Sequence, residues 1–237
     1  MSQKIRVDFF HDVICGWCYV ISPRLRRLAT EFDLDVHHHA FALSPTRADQ
    51  IRKFGSVKQA KQIILGHWEQ CAKADDQQRI NVAGMRKQRF DYPISTPGLV
   101  ACKAAHQQGG SDIYWDYFDA VTHAHLSENR NIADPDVLVD VAVAIGLDRE
   151  RFIRDVADPR RHQEIRRDQQ LAQEYGISST PTLLINQRWV VPGALELSRL
   201  RAIFRDFSDQ SLRGLNGSGL RQEEKEVQEA DESQECR

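Results

Sequence analysis

The chain has 237 residues, 41% hydrophobic and 28% charged, with 32 Lys and Arg against 34 Asp and Glu for a formal net charge of −2. That length suits one large domain or a domain with an insertion, and the apolar fraction is enough for a real core. The near-neutral balance argues against nucleic acid and anionic membranes as partners, and no apolar run approaches the ~20 residues of a membrane-spanning helix.

Residues 5–10 (IRVDFF) read as a short strand. The stretch before them lacks the charged and apolar regions of a secretory leader, so the chain as given is expected in the cytoplasm. Cys15-Gly16-Trp17-Cys18 follows, ahead of a helix predicted over 19–32 with Leu25, Leu28, Ala29 and Phe32 on its apolar face. Pro23 is expected to kink that helix. Two thiols at this spacing, at a strand-to-helix junction, form a dithiol that can close into a disulfide. Unpaired N–H groups and the positive end of the helix dipole stabilise a thiolate there, and a thiol of ordinary pKa ~8.5 can fall to roughly 3.5–7 in such motifs. Cys15 is therefore the candidate nucleophile, and Cys18, one turn deeper, the candidate resolving thiol.

A zinc knuckle and a pair of inert core thiols are the competing readings. The remaining cysteines, Cys71, Cys102 and Cys236, provide no second Cys-x-x-Cys. Neither His37-His38-His39 nor His123-Ala124-His125 has the spacing of a zinc-binding His pair, so no metal is expected. Trp17 presents a flat apolar surface beside the dithiol, with ordinary packing as the alternative. His11 and Asp12 are placed either to shuttle protons and adjust the thiolate or simply to cap the loop.

Residues 34–41 (LDVHHHAF) read as a second strand whose histidines alternate faces and are structural, and Ser44-Pro45 ends it. From 46 to about 161 the texture is helical. A helix over 58–74 carries Ile63, Ile64, His67, Trp68 and Cys71 at helical spacing. Thr96-Pro97 looks like an N-cap followed by proline at the first helical position, opening a helix that ends near Gly109-Gly110. Residues 111–126 place Tyr114, Trp115, Phe118 and Val121 at helical spacing, and Asp134-Pro135 opens a helix over 137–145 closed by Gly146. Helices over 149–156 and 160–175 follow. The aromatics of this block read as its core, and Cys71 and Cys102 as core thiols. Strand character returns at 182–185 (TLLI), with a weak turn at Asn186-Gln187, a partner strand at 189–191 and a closing amphipathic helix over 195–207. Within the last stretch, 208–237, residues 221–237 hold seven acids against three bases and should be a disordered acidic tail. The order β-α-β, helical block, α-β-β-α implies an α/β fold, a small mixed sheet covered on both faces.

At this point the sequence resembles a thioredoxin fold with a large inserted α-helical domain. The likeness rests on the Cys15-Gly16-Trp17-Cys18 helix start with Pro23 inside the helix, on Ser179-Thr180-Pro181-Thr182 before a strand, and on the wide separation of the two motifs. Residues 8–19, 131–138 and 175–177 look like the FrnE-type branch of the DsbA-like oxidoreductases, and the resemblance spans about 4–207. Gly16, where that branch more often has Pro, and the acidic tail depart from it. The resemblance implies a discontinuous thioredoxin-like domain (1–45 and 162–207), an inserted helical domain (46–161) and a tail (208–237). It implies a cis Thr180-Pro181 bond, which base rates alone would not suggest, with Trp17, Thr180 and Pro181 binding substrate and the Thr180 hydroxyl tuning the thiols. The activity it implies is thiol–disulfide exchange on a protein or small-molecule disulfide. No cofactor is expected beyond the Cys15–Cys18 disulfide itself, with glutathione a candidate co-substrate and a homodimer left open. Two alternatives stay in play. One is a glutathione-dependent isomerase or transferase acting on a small aromatic substrate, as in the kappa-class transferases and hydroxychromene-carboxylate isomerases, which carry serine in place of the dithiol. The other is a non-catalytic binding or chaperone module.

Overall fold

The structure, a computed structural model, describes residues 4–213. Strand β1 (Ile5–His11) is buried at every position but Arg6, the pattern of a strand covered on both faces. It sits inside a four-stranded sheet of order β2-β1-β3-β4. Strand β2 (Leu34–Ala40) is parallel to β1, whereas β3 (Thr182–Ile185) is antiparallel to β1 and β4 (Trp189–Pro192) antiparallel to β3. Val7 lies opposite Val36 on one side and Ile185 on the other. Pro192 is tolerated because β4 is an edge strand. The weak turn is real: Asn186 and Gln187 both take positive φ, 51° and 55°, the twist a tight hairpin needs. Asn186 locks it onto β1 by exchanging hydrogen bonds with the Arg6 backbone, its Oδ1 accepting from Arg6 N at 3.1 Å and its N–H reaching Arg6 O at 2.9 Å.

Helix α1 (Gly16–Glu31) crosses between the two parallel strands and starts earlier than its apolar periodicity suggests. Cys15 is its N-cap, in extended conformation (φ −89°, ψ 112°), which brings Gly16 and Trp17 into the first turn. Pro23 lies inside α1 without ending it. The proline's missing N–H leaves the Tyr19 carbonyl without its helical partner. Arg79 fills the gap: its Nη2 donates to that carbonyl at 3.0 Å, its guanidinium carbon sits 3.9 Å over the Tyr19 ring, and Asp75 holds it in place.

Between β2 and the helix that leads back to the sheet come α2 (Arg47–Phe54), α3 (Val57–Ala74), α4 (Val82–Lys87), α5 (Ser95–Leu126), α6 (Pro135–Ala144) and α7 (Arg149–Ala157). Sequence periodicity misses α2 and α4, each of which buries a single side chain, Gln50 and Met85. The capping box of Thr46 and Asp49 was the local signal for α2. Helix α5 is broken where two glycines were expected to end it, at Gly109 and Gly110, the latter with φ +70°. Its start differs from the expectation. Helical residues begin at Ser95 after Ile94, with no side-chain cap, because the hydroxyls of Ser95 and Thr96 serve tertiary contacts instead, to Asp12 (2.6 Å) and to the Pro45 carbonyl (2.6 Å). Asp134 does cap α6, with Pro135 in its first turn. Helix α8 (Arg160–Glu174) returns the chain through Gly176 (φ +66°) to β3. Helix α9 (Leu197–Arg213) packs Leu200 and Phe204 into the core and runs past residue 207, so 208–213, assigned to the tail from composition, are helical; 214–237 lie outside the described residues.

Most of the core forms one cluster joining α1, the sheet and the inserted helices, while Phe10, Ala172, Ile177 and Leu184 make a smaller cluster under α8. Burying one such side chain stabilises the fold by about 1.5–3 kcal/mol.

Candidate active site

The loop from β1 to α1 delivers the dithiol. Cys15 is 6% exposed and Cys18 0%, both as free thiols. The Cys18 N–H, in the first turn of α1, is shared between the Cys15 carbonyl (3.1 Å) and Cys15 Sγ (3.4 Å), so a helix-start N–H reaches the outer sulfur. Burial pushes the Cys18 thiol well above its ordinary range, and the adjacent Cys15 pushes the same way.

The loop before β3 closes the site from the other side. The Thr180-Pro181 bond is cis. The Thr180 carbonyl oxygen lies 3.5 Å from Cys15 Sγ, and the Thr180 hydroxyl 3.0 Å from Cys18 Sγ. That hydroxyl donates to the Phe10 carbonyl at 3.0 Å, so its lone pair is what faces Cys18 and the Cys18 thiol is the donor. One residue thus touches both sulfurs. Trp17 is half-buried and packs against the main core cluster.

Asp12 and His11 part company. The Asp12 carboxylate is fully buried and accepts from Ser95 Oγ (2.6 Å), Leu43 N (2.7 Å) and Ile14 N (3.3 Å), while its backbone carbonyl accepts from Cys15 N (3.2 Å). Burial lifts its pKa to about 6, held back by those donors. His11 points away, into an aromatic cluster with Phe9, His38, Tyr114 and Phe118, and neither ring nitrogen has a hydrogen-bond partner. Burial and the nearby His38 and Lys103 drive its pKa well below 6.5, so it is neutral and outside the hydrogen bonds of the dithiol. Of the β2 histidines, His37 pairs with Asp35 at the surface and His39 bridges Asp8 and Asp168. Among the described residues no group of three or more His, Cys, Asp and Glu is placed to hold a metal ion.

Sequence reasoning missed the support behind the loop. Tyr92, in the segment between α4 and α5, donates its phenol proton to the Ile14 carbonyl at 3.0 Å. Only its position before Pro93 marked it, as a turn or extended residue. A pocket of about 400 Å³ opens on the flank of α1, lined by Tyr19, Pro23, Arg26, Arg79 and His123 among others, but its two arginines are already engaged by Asp116, Asp119 and Asp75.

A Cys-x-x-Cys at the head of the crossing helix, facing a cis-proline loop across a β2-β1-β3-β4 sheet, defines a thioredoxin fold, here with a helical insertion. Residues 6–205 match the DSBA-like thioredoxin domain, and the chain belongs to that family. Among solved structures, the fold is similar to the cytosolic disulfide reductase DsbM from Pseudomonas aeruginosa (TM-score 0.66, 22% identity, 88% of this chain and 98% of that one), which has also been solved with glutathione. It is similar too to a 2-hydroxychromene-2-carboxylate isomerase (TM-score 0.64, 16% identity, 90% of this chain and 100% of that one). In sequence, the chain is 23% identical over 184 residues to the ClpXP adapter protein SpxH of Bacillus subtilis, a match spanning 77% of this chain but only 58% of that relative. No helix among the described residues is long and apolar enough to cross a membrane.

Proposed function

We propose that the protein is a thiol–disulfide oxidoreductase that exchanges disulfides with a protein or a small thiol through Cys15 and Cys18. The observation that carries this reading is the meeting of two unequal thiols at Thr180, one at the helix start and slightly open, the other sealed and held as a proton donor. The outer Cys15 thiolate attacks one sulfur of a substrate disulfide, forming a mixed disulfide and expelling the other sulfur as thiolate, which takes up a proton. Cys18 gives up its proton and attacks Cys15 Sγ, closing the Cys15–Cys18 disulfide and expelling the second substrate sulfur, which takes up a proton in turn and leaves as a thiol. Two electrons pass from the dithiol to the substrate, and the reverse sequence oxidises a substrate dithiol. Thr180 serves the second step: as Cys18 ionises, the hydroxyl beside it can turn to donate to the new thiolate. The Thr180 backbone and Trp17 line the approach for an extended substrate. A reducing compartment such as the cytoplasm suits a cycling dithiol. Glutathione is the small thiol to regenerate it, in keeping with the glutathione complex of DsbM.

The test is a trapping experiment with the two serine variants. Cys18→Ser is expected to accumulate mixed disulfides with substrate, because attack proceeds and release does not. Cys15→Ser is expected to trap almost nothing and to lose insulin reduction. Retention of a glutathione-dependent activity on an aromatic substrate by both variants would replace this reading with the isomerase or transferase one.

A further inference from the structure

Several polar groups of the Asp12–Gly16 loop are paired within the loop and the first turn of α1, while Ser95 and Leu43 hold the Asp12 carboxylate from outside. Ile14 N–H goes to Asp12 Oδ1, Cys15 N–H to the Asp12 carbonyl, and the Cys15 carbonyl takes the Cys18 and Tyr19 N–H groups. The Ile14 carbonyl, half of the peptide that leads into Cys15, depends on a residue of the helical insertion. Tyr92 donates to it, and the Tyr92 oxygen is itself held by Trp68 Nε1 of α3 at 3.1 Å and His125 Nε2 of α5 at 3.2 Å. Trp68 is 1% exposed and Tyr92 and His125 0%, so these bonds lie away from bulk solvent, where each counts for more than at the surface.

A second contact from the insertion reaches the neighbouring residue. A Cβ placed on Gly16 would lie 2.8 Å from Cys71 Sγ and 3.2 Å from Cys71 Cβ, both on α3. The Cys71 side chain would have to shift to admit that Cβ, so the Gly16 backbone lies close against Cys71 on α3. Of the two residues between the thiols, Gly16 is thus crowded by Cys71 behind the loop, with no conformational need for glycine: it has ordinary helical placement in α1.

We propose that Tyr92 and Cys71 are positioning residues for the dithiol, through which the helical insertion sets where Cys15 sits against the start of α1 and hence how readily it reacts. Tyr92 orients the Ile14–Cys15 peptide by a hydrogen bond, and Cys71 sets the depth of Gly16 by contact. The proposal rests on the oxidoreductase reading for its role in exchange, but the position of Cys15 can be read without any exchange.

The experiment compares alkylation of reduced Cys15 by iodoacetamide across pH, and equilibration of the dithiol with glutathione, in the intact protein. Tyr92→Phe keeps the ring and removes one oxygen. It is expected to slow alkylation near pH 6 by about fivefold and to shift the glutathione equilibrium similarly, the scale of one hydrogen bond. Tyr117→Phe is the control. It too is fully buried and loses a phenol bond, to the Leu138 carbonyl (2.9 Å), but away from the loop, and both profiles should stay as in wild type. Gly16→Ala should disturb both readouts, and Gly16→Ala combined with Cys71→Ala should recover most of the loss. The proposal is overturned if Tyr92→Phe reacts like wild type, if Tyr117→Phe shifts the profiles equally, or if Cys71→Ala gives Gly16→Ala no relief. Should Tyr92→Phe fail to fold, the Gly16 and Cys71 pair decides alone. Failure of the wild-type dithiol to equilibrate with glutathione would sink the oxidoreductase reading, whereas the alkylation comparison would still judge the positioning.

Discussion

A carboxylate without a countercharge sits at the base of the dithiol loop. Asp12 is buried, its pKa raised to about 6, so the folded protein binds its proton more tightly than the unfolded chain. The sign follows. Its contribution to stability is complete below the unfolded value, about 3.9, and is lost as pH rises through about 6. Two units correspond to about 3 kcal/mol. In urea unfolding at pH 4 and pH 7, Asp12→Asn should therefore gain on wild type at the higher pH by an amount of that order; an unchanged difference between the two proteins would remove Asp12 as the titrating group. Thr180 invites a second substitution at this scale. Thr180→Val keeps the shape but takes away the oxygen beside Cys18, and the release step should slow about fivefold while the first attack is spared. Mixed disulfides that live longer than in wild type, with unchanged Cys15 alkylation, would show it. At this scale the two thiols were legible from their spacing. The partners that hold the loop, Ser95, Tyr92 and Leu43, were not, because each lies far away in sequence and its role consists of a single hydrogen bond.

Helix α1 shows how an element survives a residue that should break it. Pro23 frees the Tyr19 carbonyl, and Arg79, delivered by the segment between α3 and α4, takes it. Arg79→Met should cost about 1–3 kcal/mol in urea unfolding, since a buried carbonyl is left unpaired. The same substitution in a Pro23→Ala background should cost clearly less, because residue 23 then supplies the N–H itself. Equal costs in both backgrounds would mean that Arg79 stabilises only through Asp75 and the Tyr19 ring. Periodicity in the sequence located α1, α3, α6, α7 and α8 and the glycine break in α5, because each buries an apolar face or carries a local stop signal. It passed over α2 and α4, whose exposed sides leave nothing periodic to read.

At the scale of the molecule, a buried ion network ties the sheet to the insertion. His39 on β2 bridges Asp8 on β1 (2.9 Å) and Asp168 on α8 (3.0 Å), and Lys103 on α5 pairs with Asp168 at 2.5 Å. Burial opposes charge on His39, Asp8 and Asp168, yet the bonds to Asp168 and Asp8 raise the pKa of His39, and those from His39 and Arg6 lower Asp8 to about 2. A raised histidine stabilises fully below its unfolded value, near 6.5, and the stabilisation fades as pH rises through the folded value; the lowered Asp8 stabilises above about 4 and loses its effect toward pH 2. His39→Gln should therefore lose most against wild type between about pH 4 and 6.5 and progressively less at higher pH. A difference that stays flat from pH 5 to 9 in urea unfolding would refute a charged His39.

What the sequence determined by itself is whatever short-range chemistry specifies: the strand–Cys-x-x-Cys–helix start, the apolar runs that make the inner strands, the capped and punctuated helices, and the order that implies a small mixed sheet around a helical block, with the thioredoxin frame implied by the resemblance of its motifs. What only the tertiary structure decided is which distant side chains close on the dithiol. His11 and Asp12 are adjacent in the chain, and nothing local separates a ring sunk in an aromatic cluster from a carboxylate holding the loop. Thr180 meets both thiols, Arg79 rescues α1 and Tyr92 reaches Ile14 only because the insertion packs against α1 and the β3 loop folds over it. Contacts between residues so far apart are set by the burial of whole faces, and no window of sequence contains them.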